Sequence, residues 1–184
     1  MQGLFEKIQS AADAVRKRTR VTPRFGVILG TGLGDLAEAM DVDATVPYGD
    51  IPHFVSSTTA GHKGNFVVGS LGGRPIVTMQ GRLHYYEGYS MQDVTFPVRV
   101  MRALGVEELI VFNAVGGMNP HLDLGDIVAV TDHINLMGDN PLIGPNDEEL
   151  GPRFPDMSEP YSRRLAAIAE AVALENRLRL ERGG

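Results

Sequence analysis

The sequence predicts an α/β fold in which a β-sheet is layered against helices, and three observations carry that expectation. Short unbroken apolar runs, such as Phe25–Leu29 and Leu109–Phe112, suit strands covered on both faces. Segments with apolar residues at helical spacing alternate with them. Glycine-rich stretches follow several of the apolar runs directly, as turns do where strands hand over to the next layer.

Taken in order, Leu4, Ile8, Ala11, Ala12 and Val15 share one helical face and define a first amphipathic helix ending around residues 18–22. Pro23 breaks that pattern ahead of the strand Phe25–Leu29, which runs into Gly30–Thr31–Gly32–Leu33–Gly34. Further strands are expected at Asn65–Gly69, Pro75–Gln80, Glu108–Asn113 and Ile127–Thr131. Ser90 followed by Asp93 marks a helix start, and Val94, Val98 and Met101 continue one face to Gly105. Pro97 inside that helix predicts a kink or a later start. The residues from Asn135 to Asp156, rich in Gly, Pro, Asn and Asp, form a long ordered loop of a kind that is often functional. A last helix is expected to begin near Ser158 with Pro160 in its first turn, burying Leu165, Ile168, Ala169 and Val172.

The chain has 184 residues, which suits a single domain. With 17 basic and 23 acidic residues it offers no broad basic surface, so neither nucleic acid nor an anionic membrane is an expected partner. Any anion site must be local, built from a few placed donors. No cysteine is present, which excludes disulfides, thiolate metal sites and a cysteine nucleophile. Charges interrupt residues 1–20, so no secretory signal is read there, and no apolar run is long enough to span a bilayer. A soluble, cytoplasmic protein is expected. The closing Arg179–Leu180–Glu181–Arg182–Gly183–Gly184 reads either as a frayed tail or as the approach to a further element; the second reading is preferred, a domain that lacks its C-terminal portion.

Four segments are candidates for chemistry. Gly30–Gly34 lets backbone amides approach an anion, with Thr31 adding a hydroxyl, or is simply a tight turn. It is neither a dinucleotide fingerprint, since Asp35 stands where glycine or alanine is needed, nor a Walker loop. His62 lies between glycines in Gly61–His62–Lys63–Gly64 and is either functional or incidental. In the run from Gln80 to Gly88, Arg82 and His84 alternate and point the same way if the backbone is extended. A guanidinium fork suits phosphate, and Glu87 can orient the His84 imidazole; the competing reading is a surface ion pair. Asn113–Ala114–Val115–Gly116–Gly117–Met118–Asn119–Pro120 follows a strand with small residues and paired glycines, leaving room for a ligand or forming a packed turn.

In order along the chain, these segments resemble the purine nucleoside phosphorylases of the trimeric type. The resemblance rests on VILGTGLGDL, STTAGHKGNF, MQGRLHYYEGYSMQDVTFPVRV, NAVGGMNP and GDIVAVTDHINLMGDNPLIGPNDEELGPRFPDMSEPY, spanning residues 25–161. GRLHYYEGY and DHINL with GPND behind it are its most specific phrases. It implies an α/β fold with a central mixed β-sheet flanked by helices. It also implies phosphate held by Thr31, His62, Arg82, His84 and the backbone at Val115. Tyr86 would contact the ribose, Glu87 would support His84, and Asn113, Ala114 and Gly116 would line the wall for sugar and base. Phe154 would reach into a neighbouring subunit, so a homotrimer is implied. No organic cofactor or metal is expected; inorganic phosphate is the co-substrate.

Val115 departs from the alanine common in the family, adding bulk without removing a backbone donor. The family's base-recognising acid and amide, a further phosphate-contacting serine and a sugar-contacting histidine would lie beyond residue 184. The implied reaction is reversible phosphorolysis of inosine- and guanosine-type nucleosides. A methylthioadenosine phosphorylase and a phosphate-binding fragment without turnover are the alternatives.

Overall fold

The computed structural model describes residues 3–30, 32–55 and 64–183. The chain divides into two compact units, Met1–Ala114 with Pro141–Leu150, and Val115–Asn140 with Gly151–Gly184.

The first unit is built on a five-stranded mixed sheet. Its strands are β1 (Phe25–Ile28), β2 (Asp41–Pro47), β3 (Asn65–Leu71), β4 (Arg74–Gln80) and β5 (Glu108–Val111), in the order β2-β3-β4-β1-β5. β1 runs parallel to β4 and β5, whereas β2–β3 and β3–β4 are antiparallel. Alternation sorts the side chains onto two faces. Ile28, Phe66, Val68, Val77 and Met79 join one core, while Val27, Leu29, Val67 and Ile76 join the other. The first core is closed by two helices, α1 (Leu4–Arg16) and α2 (Met91–Leu104). α1 contributes Ile8, Ala11, Ala12 and Val15, the face its apolar spacing predicts. The Arg16 guanidinium donates to the Ala103 carbonyl of α2. The second core is closed by Ala37 and Met40 from the segment that follows the glycine turn.

α2 starts where its cap says it should. The Ser90 hydroxyl accepts from the Asp93 N–H at 3.1 Å, and Gly105 ends the helix in the left-handed region at φ 116°. The later start that Pro97 suggested is not found: the helix begins at Met91 and carries buried Pro97 through to Leu104. β2 has no counterpart in the sequence expectations. It is an edge strand carrying Asp41, Asp43 and Pro47, with Val46 as its buried residue and an irregularity between Val42 and Ala44. Charge and proline protect an edge from pairing with other chains, and they also erase the apolar signature of a strand. β5 forms as expected but occupies the opposite edge, and Ile110 and Val111 remain exposed. Covering on both faces, inferred from its apolar run, is therefore corrected.

The second unit holds β6 (Ile127–Val130), α3 (Arg163–Glu175) and β7 (Leu180–Gly183), with β6 and β7 paired in parallel. Of the two readings of the closing residues, the frayed tail, which was not the preferred one, does not hold, because Leu180–Gly183 pair as β7. α3 starts later than expected: Ser162, not Ser158, caps it by accepting from the Leu165 N–H at 3.3 Å, so Pro160 precedes the helix. Its expected buried stripe is corrected as well, since Ile168 and Val172 are about half exposed, at 48% and 50%, and Ala173 is the buried position. Neither helix nor strand interrupts the long loop between β6 and α3. Among the described residues no helix is long and apolar enough to cross a membrane.

Candidate active site

Parallel strands put their C-terminal ends on one side of a sheet, and ligands of open α/β sheets bind there. β1, β4 and β5 deliver the glycine turn, the arginine–histidine segment and the asparagine–alanine segment to that side. The antiparallel β3 starts at the same edge, because Asn65 pairs with Gln80 and its amide donates to the Gln80 side-chain oxygen at 3.3 Å. Gly64, which directly precedes β3, therefore lies at that edge too. Thr31 and His62 lie outside the described residues.

One backbone carbonyl gathers three of these segments. Phe112 extends the β5 ladder by donating its N–H to the Ile28 carbonyl at 2.9 Å. Its own carbonyl accepts from Arg82 Nη1 at 2.6 Å. Gly30 packs beside it so closely that a Cβ there would stand 2.8 Å from the Phe112 oxygen and 3.1 Å from the Asn113 Cα. A methyl group at position 30 would have to push two strands apart. Arg82 is half-buried, and this contact occupies one of the five N–H donors of its guanidinium.

Beyond Arg82 the chain is extended at His84 (φ −120°, ψ 142°) and then closes a single 3₁₀ turn, Tyr85–Glu87, ending on left-handed Gly88. The Glu87 carboxylate accepts from the His84 backbone N–H at 2.9 Å. The His84 imidazole stacks on the Tyr86 ring, with centroids 4.7 Å apart and planes 16° from parallel, and Tyr86 is 79% exposed. Arg82, His84, Tyr86, Glu87, Asn113 and Ala114 thus belong to one unit, on segments that leave the sheet at one edge.

Val115, Gly116 and Phe154 belong to the second unit. Val115 and Phe154 are strongly exposed there, and the Arg153 guanidinium lies over the Phe154 ring at 6.0 Å. In the same unit the Tyr161 hydroxyl and His133 Nδ1 are 3.1 Å apart. Among the described residues no cluster of three or more His, Asp or Glu is placed to hold a metal ion.

Two contributors escaped sequence reasoning. The Phe112 carbonyl has no side-chain signature. Tyr48 sits in no motif, yet it is buried, its hydroxyl donates to the Gly81 carbonyl at 2.6 Å, and burial pushes the phenol well above the usual tyrosine range. It stands two positions before Asp50 in a stretch without a motif, so the sequence carries no signal for it.

The phosphorylase superfamily model matches residues 24–184, across both units, and the chain belongs to that superfamily. Purine nucleoside phosphorylase 1 of Geobacillus stearothermophilus is 54% identical over 176 residues, 96% of this chain and 64% of that protein. Purine nucleoside phosphorylase 1 of Bacillus subtilis (strain 168) is 49% identical over 178 residues, 97% of this chain and 66% of that protein. Among solved structures, isoform 2 of purine nucleoside phosphorylase from Schistosoma mansoni, in complex with cytosine and ribose-1-phosphate, matches with a TM-score of 0.92. It is 46% identical and covers 97% of this chain and 64% of that one. Within the superfamily, then, this protein is a homologue of the purine nucleoside phosphorylases, and it spans about two thirds of the length of these relatives.

Proposed function

We propose that this protein carries out reversible phosphorolysis of purine nucleosides of the inosine and guanosine type, yielding the free base and ribose 1-phosphate for purine salvage. The observation that carries the reading is the convergence on the Phe112 carbonyl of Gly30, Arg82 and the Asn113 segment at the sheet edge. Support comes from Schistosoma mansoni purine nucleoside phosphorylase structures, 46% and 44% identical, in complex with cytosine and ribose-1-phosphate and with inosine.

In the proposed reaction the C1′–N9 bond breaks, and its electron pair leaves with the purine, which takes up a proton. A phosphate oxygen forms the new bond to C1′. Positive charge builds on the sugar as the bond stretches, so an anion held beside C1′ both stabilises that charge and stands ready as the nucleophile. Thr31, His62, Arg82, His84 and the Val115 backbone are the proposed phosphate ligands. Arg82 offers a planar fork on a half-buried anchor, and the Phe112 carbonyl fixes one branch of that fork. Glu87 fixes the backbone at His84 and supports it. Tyr86, stacked on the same imidazole, is the proposed ribose contact, with Asn113, Ala114 and Gly116 lining the wall for sugar and base. The positioning and phosphate roles fall together on Arg82, His84 and Glu87, which are the proposed catalytic residues.

The same reading makes residues 1–184 part of a single α/β phosphorylase domain, since the superfamily match runs through both compact units. It makes the protein a cytoplasmic homotrimer in which exposed Phe154 reaches a neighbouring subunit's site.

The test is chromatography of inosine incubated with the purified chain, with and without phosphate. Hypoxanthine formed only in the presence of phosphate is the expected result. Hypoxanthine formed equally without phosphate would replace phosphorolysis by hydrolysis. No product, with phosphate still bound, would mark a binding fragment without turnover.

A further inference from the structure

Tyr48 is buried to 3% exposure in an aromatic cluster, its ring centroid 5.4 Å from that of Phe54 and 5.7 Å from that of Phe66. A phenylalanine would fill that space without bringing a polar atom into the core. The hydroxyl is accounted for by its bond to the Gly81 carbonyl at 2.6 Å. From the other end of the same residue, the Tyr48 backbone N–H donates to the Gly64 carbonyl at 2.8 Å. Gly81 immediately precedes Arg82, and Gly64 follows His62 by two positions in the sequence. One buried residue thus bonds both the peptide that leads into Arg82 and the residue that opens β3.

The peptide plane explains why this tie matters. The Gly81 carbonyl and the Arg82 N–H belong to one rigid amide, so fixing the oxygen fixes the direction in which Arg82 leaves the strand. Gly81 is left-handed, at φ 93°, and glycine is the residue least able to hold such a plane by itself. The Phe112 carbonyl then holds the far end of the same side chain. Arg82 is gripped at its backbone by Tyr48 and at its guanidinium by β5.

We propose that Tyr48 is a positioning residue for phosphate, setting the geometry of Arg82 relative to Gly64 at the start of β3; this rests on the phosphorylase reading above. The test compares the chain with Tyr48→Phe, which deletes one oxygen, and with Phe54→Leu, which loosens the same cluster and keeps the hydroxyl. Calorimetry gives the Kd for inorganic phosphate, and NMR gives the Arg82 Nε–H resonance. Tyr48→Phe is expected to weaken phosphate about tenfold, as loss of one buried hydrogen bond in a preorganised site does, and to shift the resonance. Phe54→Leu is expected to lower Tm and leave both readouts unchanged. Phosphate affinity within about twofold of the parent and an unmoved resonance in Tyr48→Phe would overturn the proposal. Equal loss of phosphate in Phe54→Leu would also overturn it, because packing alone then explains the effect. If the parent chain binds no phosphate, the phosphorylase reading fails and takes the positioning role with it, an outcome distinct from equal phosphate binding by parent and Tyr48→Phe, which overturns the positioning role alone.

Discussion

The two compact units of the chain use similar apolar residues to opposite effect. In the first, Phe66, Val68, Val77, Val100 and Met101 are almost completely buried between the sheet and its helices. In the second, Ala173 is the only buried apolar residue among those described, while Leu136, Phe154 and Leu174 stand more than four fifths exposed. An apolar stripe becomes a core only when a second surface meets it. The second unit is instead held by the parallel β6–β7 pair and by arginine clasps. Arg179 lies 3.0 Å from Asp126 and 3.1 Å from Glu181, and it donates to the His121 carbonyl at 2.6 Å. Arg182 pairs with Glu170. One unit is stabilised by burial and the other by charge and backbone pairing.

The sharpest way to break this comparison is a matched pair of truncations. Phe66→Ala empties the centre of the first core and is expected to cost about 3–5 kcal/mol in denaturant unfolding. Val172→Ala removes a half-exposed side chain from α3 and is expected to cost less than about 0.5 kcal/mol. Equal losses would mean that the second unit has a core after all.

Arg82→Ala separates function from stability within the first unit. Phosphate use should fall at least about tenfold, or about 1.4 kcal/mol, in steady-state kinetics or phosphate titration. Its unfolding midpoint should move far less than that of Phe66→Ala. Unchanged phosphate dependence would remove Arg82 from the site. For the second unit, Arg179→Ala should speed amide hydrogen exchange across β6 and β7 several-fold and leave β3 and β4 protected. High salt should produce part of the same effect in the unmodified chain, because Arg179 and Glu181 are both partly open to solvent.

The smallest expected effect concerns pH. The Thr19 hydroxyl and the Arg20 N–H both donate to Asp43, and these bonds hold its carboxyl below the usual 3.8. A carboxyl depressed in the folded state adds stability above its unfolded value and loses it as pH falls through the folded value. Asp43→Asn should therefore lower stability slightly at neutral pH, where the ionised carboxyl makes its contribution, and flatten the acid limb of the stability curve below about pH 4. A steeper acid limb in the variant would reverse the assignment.

The sequence carried the interior strands and the capped helices more clearly than it carried edges. β1, β3 and β4 are apolar enough to announce themselves, and Ser90 with Asp93 marked the start of α2. β2 stayed hidden because an edge strand that resists aggregation looks polar. β7 stayed hidden because Leu180–Gly183 becomes a strand only by pairing with β6, some fifty residues away in the chain. The α3 stripe shows the reverse problem: periodicity reports a face that can be buried, and Ile168 and Val172 show that it need not be. At the proposed site, Arg82, His84, Glu87 and Asn113 were legible as side chains in ordered motifs. The Phe112 carbonyl and the Tyr48 hydroxyl were not, since one belongs to every residue and the other is defined by a partner thirty-three positions away.

The Phe112 carbonyl has a consequence for how this protein can vary. Its acceptor is main chain, so substitution at position 112 changes the side chain and leaves the atom that Arg82 holds. What removes it is a shift of β5 against β1 by one residue, because successive carbonyls along a strand point to opposite sides. A one-residue insertion or deletion between Gly105 and Phe112 would therefore disarm Arg82 while leaving every residue of the site in the sequence. The anchor tolerates exchange of letters and is vulnerable to a change in their count.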